Sequence, residues 1–225
     1  MWYVALMNYE VTPNNVVEIT GEVLSVPTRK FNTCFTEPYY ETILKVRRKD
    51  TNRVDAIPVL FDDNDRSPGH MLHLGRLVSV HGKLCSRTEP GIEEKMYTVS
   101  NPRIFKVGAM ANRFNFGDDL RKKFASNKVS LTGYLTKEAT LSEQNFGGRD
   151  GVGDNKNRVA NFILAIDGGE ATDYVRCVAW RERAEMVMDA KAGDKIHIKG
   201  ALNSRQNGGP SNYWVNASYE MEVGK

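Results

Sequence analysis

The sequence predicts an all-β protein built as two tandem five-stranded barrels, each with a short helix between its third and fourth strands. Two observations predict it. Apolar and polar residues alternate with a period of two in one stretch after another, the signature of half-buried strands. The chain also repeats itself. Val17, Ile19, Gly21 and Val23 fall in register with Val129, Leu131, Gly133 and Leu135, and residues 75–84 match 193–202 in glycines, apolar pairs and closing leucine. Copies of about a hundred residues are domains rather than solenoid units. A chain of 225 residues holds two such domains. The expected layout is a first barrel with an N-terminal arm over 1–106, a joining segment with a short helix over 107–127, and a second barrel over 128–225.

The second copy gives the clearer pattern. Residues 128–135 alternate as a strand, with Gly133 inside it. A strand glycine marks a bulge or a sharp bend at a barrel corner. After the polar, glycine-rich stretch 147–157 come strands over 159–166 and 173–180. A helix over 182–191 follows, with Ala184, Val187 and Met188 on one face, and then strands over 193–202 and 212–223. Three strands, a short helix and two strands is the order of an OB-fold, a small Greek-key barrel that often binds oligonucleotides. The first copy repeats the order with strands over 16–24, 39–48, 53–61, 75–84 and 96–105 and a helix over 70–74. Pro58 lies inside the third of these strands. A proline cannot donate to a ladder, so an edge or a bulge is expected there.

The succession Leu131-Thr132-Gly133, Val159-Ala160-Asn161-Phe162, Tyr174-Val175-Arg176-Cys177-Val178-Ala179-Trp180 and Gly193-Asp194-Lys195-Ile196-His197-Ile198-Lys199-Gly200 resembles the bacterial and phage single-stranded DNA-binding protein family over residues 128–223. The joint order of these blocks carries the likeness. It implies base-stacking aromatics at Tyr174 and Trp180 and a basic position at Arg176. Members of that family commonly assemble four OB-folds, so a chain with two is expected to form a homodimer. They commonly end in a flexible linker and an acidic tip that recruits replication and repair proteins. This sequence ends on Glu220-Met221-Glu222-Val223-Gly224-Lys225, so recruitment through such a tail is not expected.

The residues themselves support a single-strand surface. Such a surface needs cations that track phosphates and aromatic faces on which bases stack. Tyr174, Arg176, Val178 and Trp180 share one face of a strand because their spacing is even. The opposite face, Val175, Cys177 and Ala179, is the better core. Phe162 also reads as core, with Ala160, Leu164 and Ile166. Tyr213 and Trp214 point opposite ways, so one of them is exposed. Phosphate contacts are expected from Arg149, Arg158, Arg181, Arg183, Lys199 and Arg205. In the first copy Phe61 is aligned with Trp180, Asp55 with Tyr174 and Ile57 with Arg176. Tyr39, Tyr40 and Phe61 are stacking candidates there, and Arg47, Arg48 and Arg53 basic ones. The acidic run 62–65 repels phosphate.

The remaining features narrow the class. The net charge of +3 permits a nucleic-acid partner without demanding one. Cys34, Cys85 and Cys177 are far apart and odd in number, which suggests neither a disulfide framework nor a zinc ribbon. No apolar run is long enough for a leader or a membrane span. A cytoplasmic, nucleoid-associated protein is expected, with its N-terminal Trp2, Tyr3 and Leu6 packing on a barrel or a second chain. His70 and His73 have helical spacing, but metal binding needs further ligands. The phosphate loop and the Gly-x-Ser-x-Gly elbow are both missing. No enzyme, metal or cofactor is expected. The leading expectation is a protein that coats and protects single-stranded DNA without sequence preference. The alternative is an OB-fold assembly protein similar to the PriB family of primosome accessory proteins, with weak nucleic-acid binding. An OB-fold RNA binder is a third.

Overall fold

A computed structural model describes residues 15–30, 39–48, 53–62, 72–87, 96–106, 125–145, 156–167, 172–205 and 212–224. The first half holds β1 (Asn15–Val23), β2 (Thr28–Lys30), β3 (Tyr39–Arg47), β4 (Val54–Asp62), β5 (Leu77–Arg87) and β6 (Met96–Lys106). The second holds β7 (Ser126–Leu135), β8 (Thr140–Asn145), β9 (Lys156–Asp167), β10 (Thr172–Trp180), α1 (Glu182–Met188), β11 (Lys195–Arg205) and β12 (Asn212–Gly224). The stack formed by β1, β3, β4, β6 and β5 closes because β1 pairs with both β3 and β5. The second barrel closes in the same order through β7, β9, β10, β12 and β11. In each, the third and fifth barrel strands meet in parallel. These are two tandem OB-folds.

Alternation builds the interiors. Along β10, Val175, Cys177 and Ala179 are sealed, and along β9 Ala160, Phe162, Leu164 and Ile166 are. Burying side chains of the larger kinds stabilises by roughly 1.5–3 kcal/mol each. Gly133 lies where β7 pairs with both β11 and β9, facing Ile196 on one side and Ile166 on the other. A Cβ there would stand 2.5 Å from the Ala165 carbonyl oxygen, so only glycine lets the strand bend this closely. Gly200 sits at the register shift between Lys199 and Ala201, where a Cβ would collide with the Asn216 backbone.

The barrels are joined by β1 and β7, which pair antiparallel so that Val17 faces Val129, its own counterpart in the repeat. The arrangement around that pair is nearly two-fold. Asn15 Nδ2 donates to the Leu84 carbonyl and its Oδ1 accepts from the Leu84 amide, both at 2.9 Å. Asn127 does the same with Leu202, at 2.7 and 2.9 Å. One continuous 12-stranded sheet results.

The structure departs from the sequence reading in several places. β2 and β8 were not anticipated; each flanks an outer hairpin strand. β7 begins at Ser126, inside the segment read as a connection, and 107–124 lie outside the described residues. Of the helix expected over 70–74, residues 72–74 are described. They form no helix and close in a turn in which the Arg76 amide donates to the His73 carbonyl, at 3.0 Å. α1 is shorter than expected, and Met188 is exposed while Ala184 and Val187 are buried. Pro58 marks neither an edge nor a bulge. β4 runs unbroken against β3, with Ile43 opposite Pro58, and meets β6 in one parallel pair, Val59–Val99. That sparse ladder asks for few donors. The N-terminal arm and most of the acidic run over 62–65 lie outside the described residues.

Candidate nucleic-acid interface

The outer surface of the second barrel follows from strand parity. Because Val175, Cys177 and Ala179 point inward, Tyr174, Arg176, Val178 and Trp180 point outward. Tyr174 and Arg176 are exposed, Trp180 is half-buried and Val178 lies covered between them. On one side β9 sets Ala165 against Tyr174, Ile163 against Arg176, Asn161 against Val178 and Val159 against Trp180. On the other side β12 runs parallel, with Val215 beside Cys177. One step back along both strands are Arg176 and Trp214. Tyr213 is the buried member of its pair and Trp214 the outward one. The Arg176 guanidinium donates from Nη1 to Asn212 Oδ1 at 3.3 Å, which holds it toward β12. β11 continues the surface, pairing Asn203 with Trp214 and Arg205 with Asn212. Tyr174, Trp180 and Trp214 thus share one sheet face with Arg176 and Arg205.

Arg181 continues the strand into α1. Its φ of 56° is the left-handed region, which a side chain rarely adopts. Its amide donates to the Arg158 carbonyl at 2.9 Å, which fixes the turn. Arg158 Nη1 pairs with Glu185 Oε1 at 3.0 Å, and Arg183 Nη2 donates to the Tyr219 carbonyl at 3.0 Å. Lys199 lies on the same outward parity of β11 but toward the inter-barrel seam, bonded to Glu220 Oε2 at 2.7 Å. That bond is the main cause holding the Glu220 carboxyl below its ordinary value. The pair therefore persists to more acid pH than an ordinary glutamate would allow, and is lost as pH falls through the lowered value. Both partners are exposed, so the pair adds little stability. Burial pushes the Cys177 thiol up, so it stays protonated and inert. Arg149 lies outside the described residues.

The first barrel offers a different surface, and the structure corrects its alignment. Asp55, not Ala56, carries the same hydrogen bonds as Asp173, and Val59 meets β6 as Cys177 meets β12. Asp55 therefore corresponds to Asp173 and not to Tyr174. Phe61 then falls on the inward face beside Ile57 and Val59, 7% exposed, with its ring stacked on Tyr40 at 5.6 Å. The expected stacking surface at Phe61 is occupied by the barrel's own packing. Tyr39 is buried and Tyr40 packs against the core. The outward positions matching Tyr174, Arg176 and Val178 are Ala56, Pro58 and Leu60. Arg48 forks onto the buried Asp55, with Nη2 at 2.6 Å from Oδ1 and Nε at 2.9 Å from Oδ2. It clamps the junction between barrels. Arg47 is half-buried and Arg53 exposed. A groove of about 870 Å³ runs along the seam, lined by Val16, Arg47, Lys128, Lys199, Asn203 and Tyr219 among others.

Sequence reasoning missed Asn212, which orients Arg176, and the carboxylate–serine contacts at Asp55 and Asp173. Nothing local signals them, since their partners lie on other strands or in the other barrel. Among the described residues no cluster of three or more metal-ligating side chains occurs, and no helix is long and apolar enough to cross a membrane.

Known proteins place this geometry. Residues 126–223 match the Single-strand binding protein family. A single-stranded DNA-binding protein of Onion yellows phytoplasma (strain OY-M) is 32% identical over 78 residues, covering 34% of this chain and 69% of the relative. Single-stranded DNA-binding protein 3 of Streptococcus agalactiae serotype V is 30% identical over 87 residues, covering 35% of this chain and 56% of the relative. The fold of the whole chain is similar to that of the single-stranded DNA binding protein from Thermus aquaticus. The wild-type crystal structure superposes with a TM-score of 0.70 at 19% identity, covering 95% of this chain and 94% of that one. A deletion mutant of the same protein gives 0.66 at 20% identity, with 94% of each chain covered. The family match, the phytoplasma relative and the closed second barrel agree, and the chain belongs to the Single-strand binding protein family.

Proposed function

We propose that the protein binds single-stranded DNA and coats and protects it during replication, recombination or repair, acting by binding and not by catalysis. The observation that carries this reading is the outward face of β10, where Tyr174, Arg176 and Trp180 lie in line beside Trp214. Bases stack on the rings whatever their identity, and the arginines meet the phosphates between them. Arg181 and Arg205 extend the cationic track at the two ends. The first barrel serves mainly in assembly, because Ala56, Pro58 and Leu60 replace the aromatic and basic positions of β10. Two copies associate to give four barrels, as the family likeness implies. Exposed Val16 and Tyr219 on the open seam groove support a self-associating surface, and light scattering in solution reads the stoichiometry.

The test is titration of intrinsic tryptophan fluorescence with a deoxythymidine oligomer at low and high salt, with a duplex control. Quenching by the single strand alone, lost in Trp180→Ala, is expected. An equal response to duplex, or no binding at low salt, overturns the reading and leaves an assembly protein.

A further inference from the structure

Tyr174 on β10 and Arg205 on β11 flank β12 at one end of the candidate face, and each directly follows a residue bonded to the other barrel. Asp173 is 9% exposed, and its Oδ1 accepts from the Ser86 amide at 2.8 Å and the Ser86 hydroxyl at 2.9 Å. The Tyr174 amide donates back to Ser86 Oγ at 3.4 Å. The mirror contact joins the other pair. Asp55 Oδ1 accepts from the Ser204 amide at 2.6 Å, and the Ala56 amide donates back to Ser204 Oγ at 3.0 Å. Each barrel thus hands a carboxylate to a serine of its neighbour, and that serine takes the next amide in return.

The two clasps differ in strength. Asp55 is also forked by Arg48, whereas among the described residues the Asp173 side chain bonds Ser86 alone. Ser86 therefore holds the start of β10, where Tyr174 follows the connection from β9 by only a few residues. We propose that Ser86, a first-barrel residue, is a positioning residue for single-strand binding by the second barrel, setting the Tyr174 ring through Asp173 and the Tyr174 amide. This rests on Tyr174 being a base contact. The first barrel then has a part in binding without touching the strand, because a contact is only as well placed as the shell supporting it.

The experiment measures binding of a labelled deoxythymidine oligomer by the full chain carrying Ser86→Ala, Ser86→Thr, Tyr174→Ala and the Ser86→Ala/Tyr174→Ala pair. If the residues act as one unit, Ser86→Ala weakens binding about 3- to 10-fold, Ser86→Thr restores it to within about twofold, and Ser86→Ala adds nothing in the Tyr174→Ala background. Wild-type affinity in Ser86→Ala, full additivity in the pair, or no rescue by threonine overturns the proposal while Tyr174→Ala still binds weakly. Unchanged binding in Tyr174→Ala overturns the base contact itself, and the positioning role with it. Should Ser86→Ala fail to fold by circular dichroism, Ser86→Cys, near in size but a poor donor, takes its place with the same expected outcomes.

Discussion

At the residue scale the proposed binding face separates by salt into members that would stack on bases and members that would meet phosphates. Trp180→Ala removes a stacking surface worth roughly 1–3 kcal/mol, so affinity for a thymidine oligomer should fall about 5- to 150-fold with the salt slope unchanged. Arg176→Ala removes one phosphate neutralisation. The slope of log K against log salt should become shallower by about 0.7, with the affinity loss largest at low salt. A shallower slope in Trp180→Ala would show that the ring positions a cation instead of a base. Arg181 offers a second separation. Its left-handed φ of 56° costs a side chain of order 1–3 kcal/mol that glycine is spared. Arg181→Gly should raise the melting temperature by a few degrees while weakening binding, as thermal denaturation and titration on one sample would register. Phe61 stacks on Tyr40 inside its barrel, so its replacement by alanine should cost stability, about 3–5 kcal/mol, before it costs binding.

At the scale of the element, glycines and parity decide the shape. Gly200→Ala sets a methyl against the Asn216 backbone at the register shift of β11. The loss expected is about 1–3 kcal/mol by denaturant unfolding, read as a lower midpoint with an unchanged slope. Gly133 was legible in advance because it interrupts an alternating strand. The outward parity of Tyr174 and Trp180 was legible for the same reason. The choice between Tyr213 and Trp214 was not, since both faces of β12 carry large residues and only its pairing with β10 and β11 orients it. The third strand of the first barrel misled for a related cause. From Ala56 to Phe61 both parities of the strand are apolar, so alternation did not fix the register, and local pattern alone did not separate Asp55 matched to Tyr174 from Asp55 matched to Asp173.

At the scale of the whole molecule, the two barrels share a sheet and two buried clasps, so they should melt as one unit. Asp55→Ala strips the Arg48 fork, the Ser204 amide and a fully buried carboxylate together. A loss of about 3–5 kcal/mol is expected, with both barrels unfolding in a single calorimetric transition at lower temperature. A separate high-temperature transition from the second barrel would show that the junction is not cooperative. Replacement of Arg48 should cost at least as much, because it leaves the sealed Asp55 carboxylate without its cation, whereas Asp55→Ala leaves an Arg48 head that is partly solvated.

The five barrel strands of each copy, the repeat, the two closed barrels and the aromatic face of β10 were legible in the residues alone. These rest on period-two burial and on glycines where backbones crowd, and both are written in neighbouring residues. The assembled fold was needed to show that β1 and β7 fuse the barrels, that Arg48 bonds Asp55 and Ser204, that Phe61 packs inside its barrel, and that Ser86 reaches Asp173. Each of these depends on groups from distant strands meeting at one point, and pairing between strands leaves no mark on the spacing within either one.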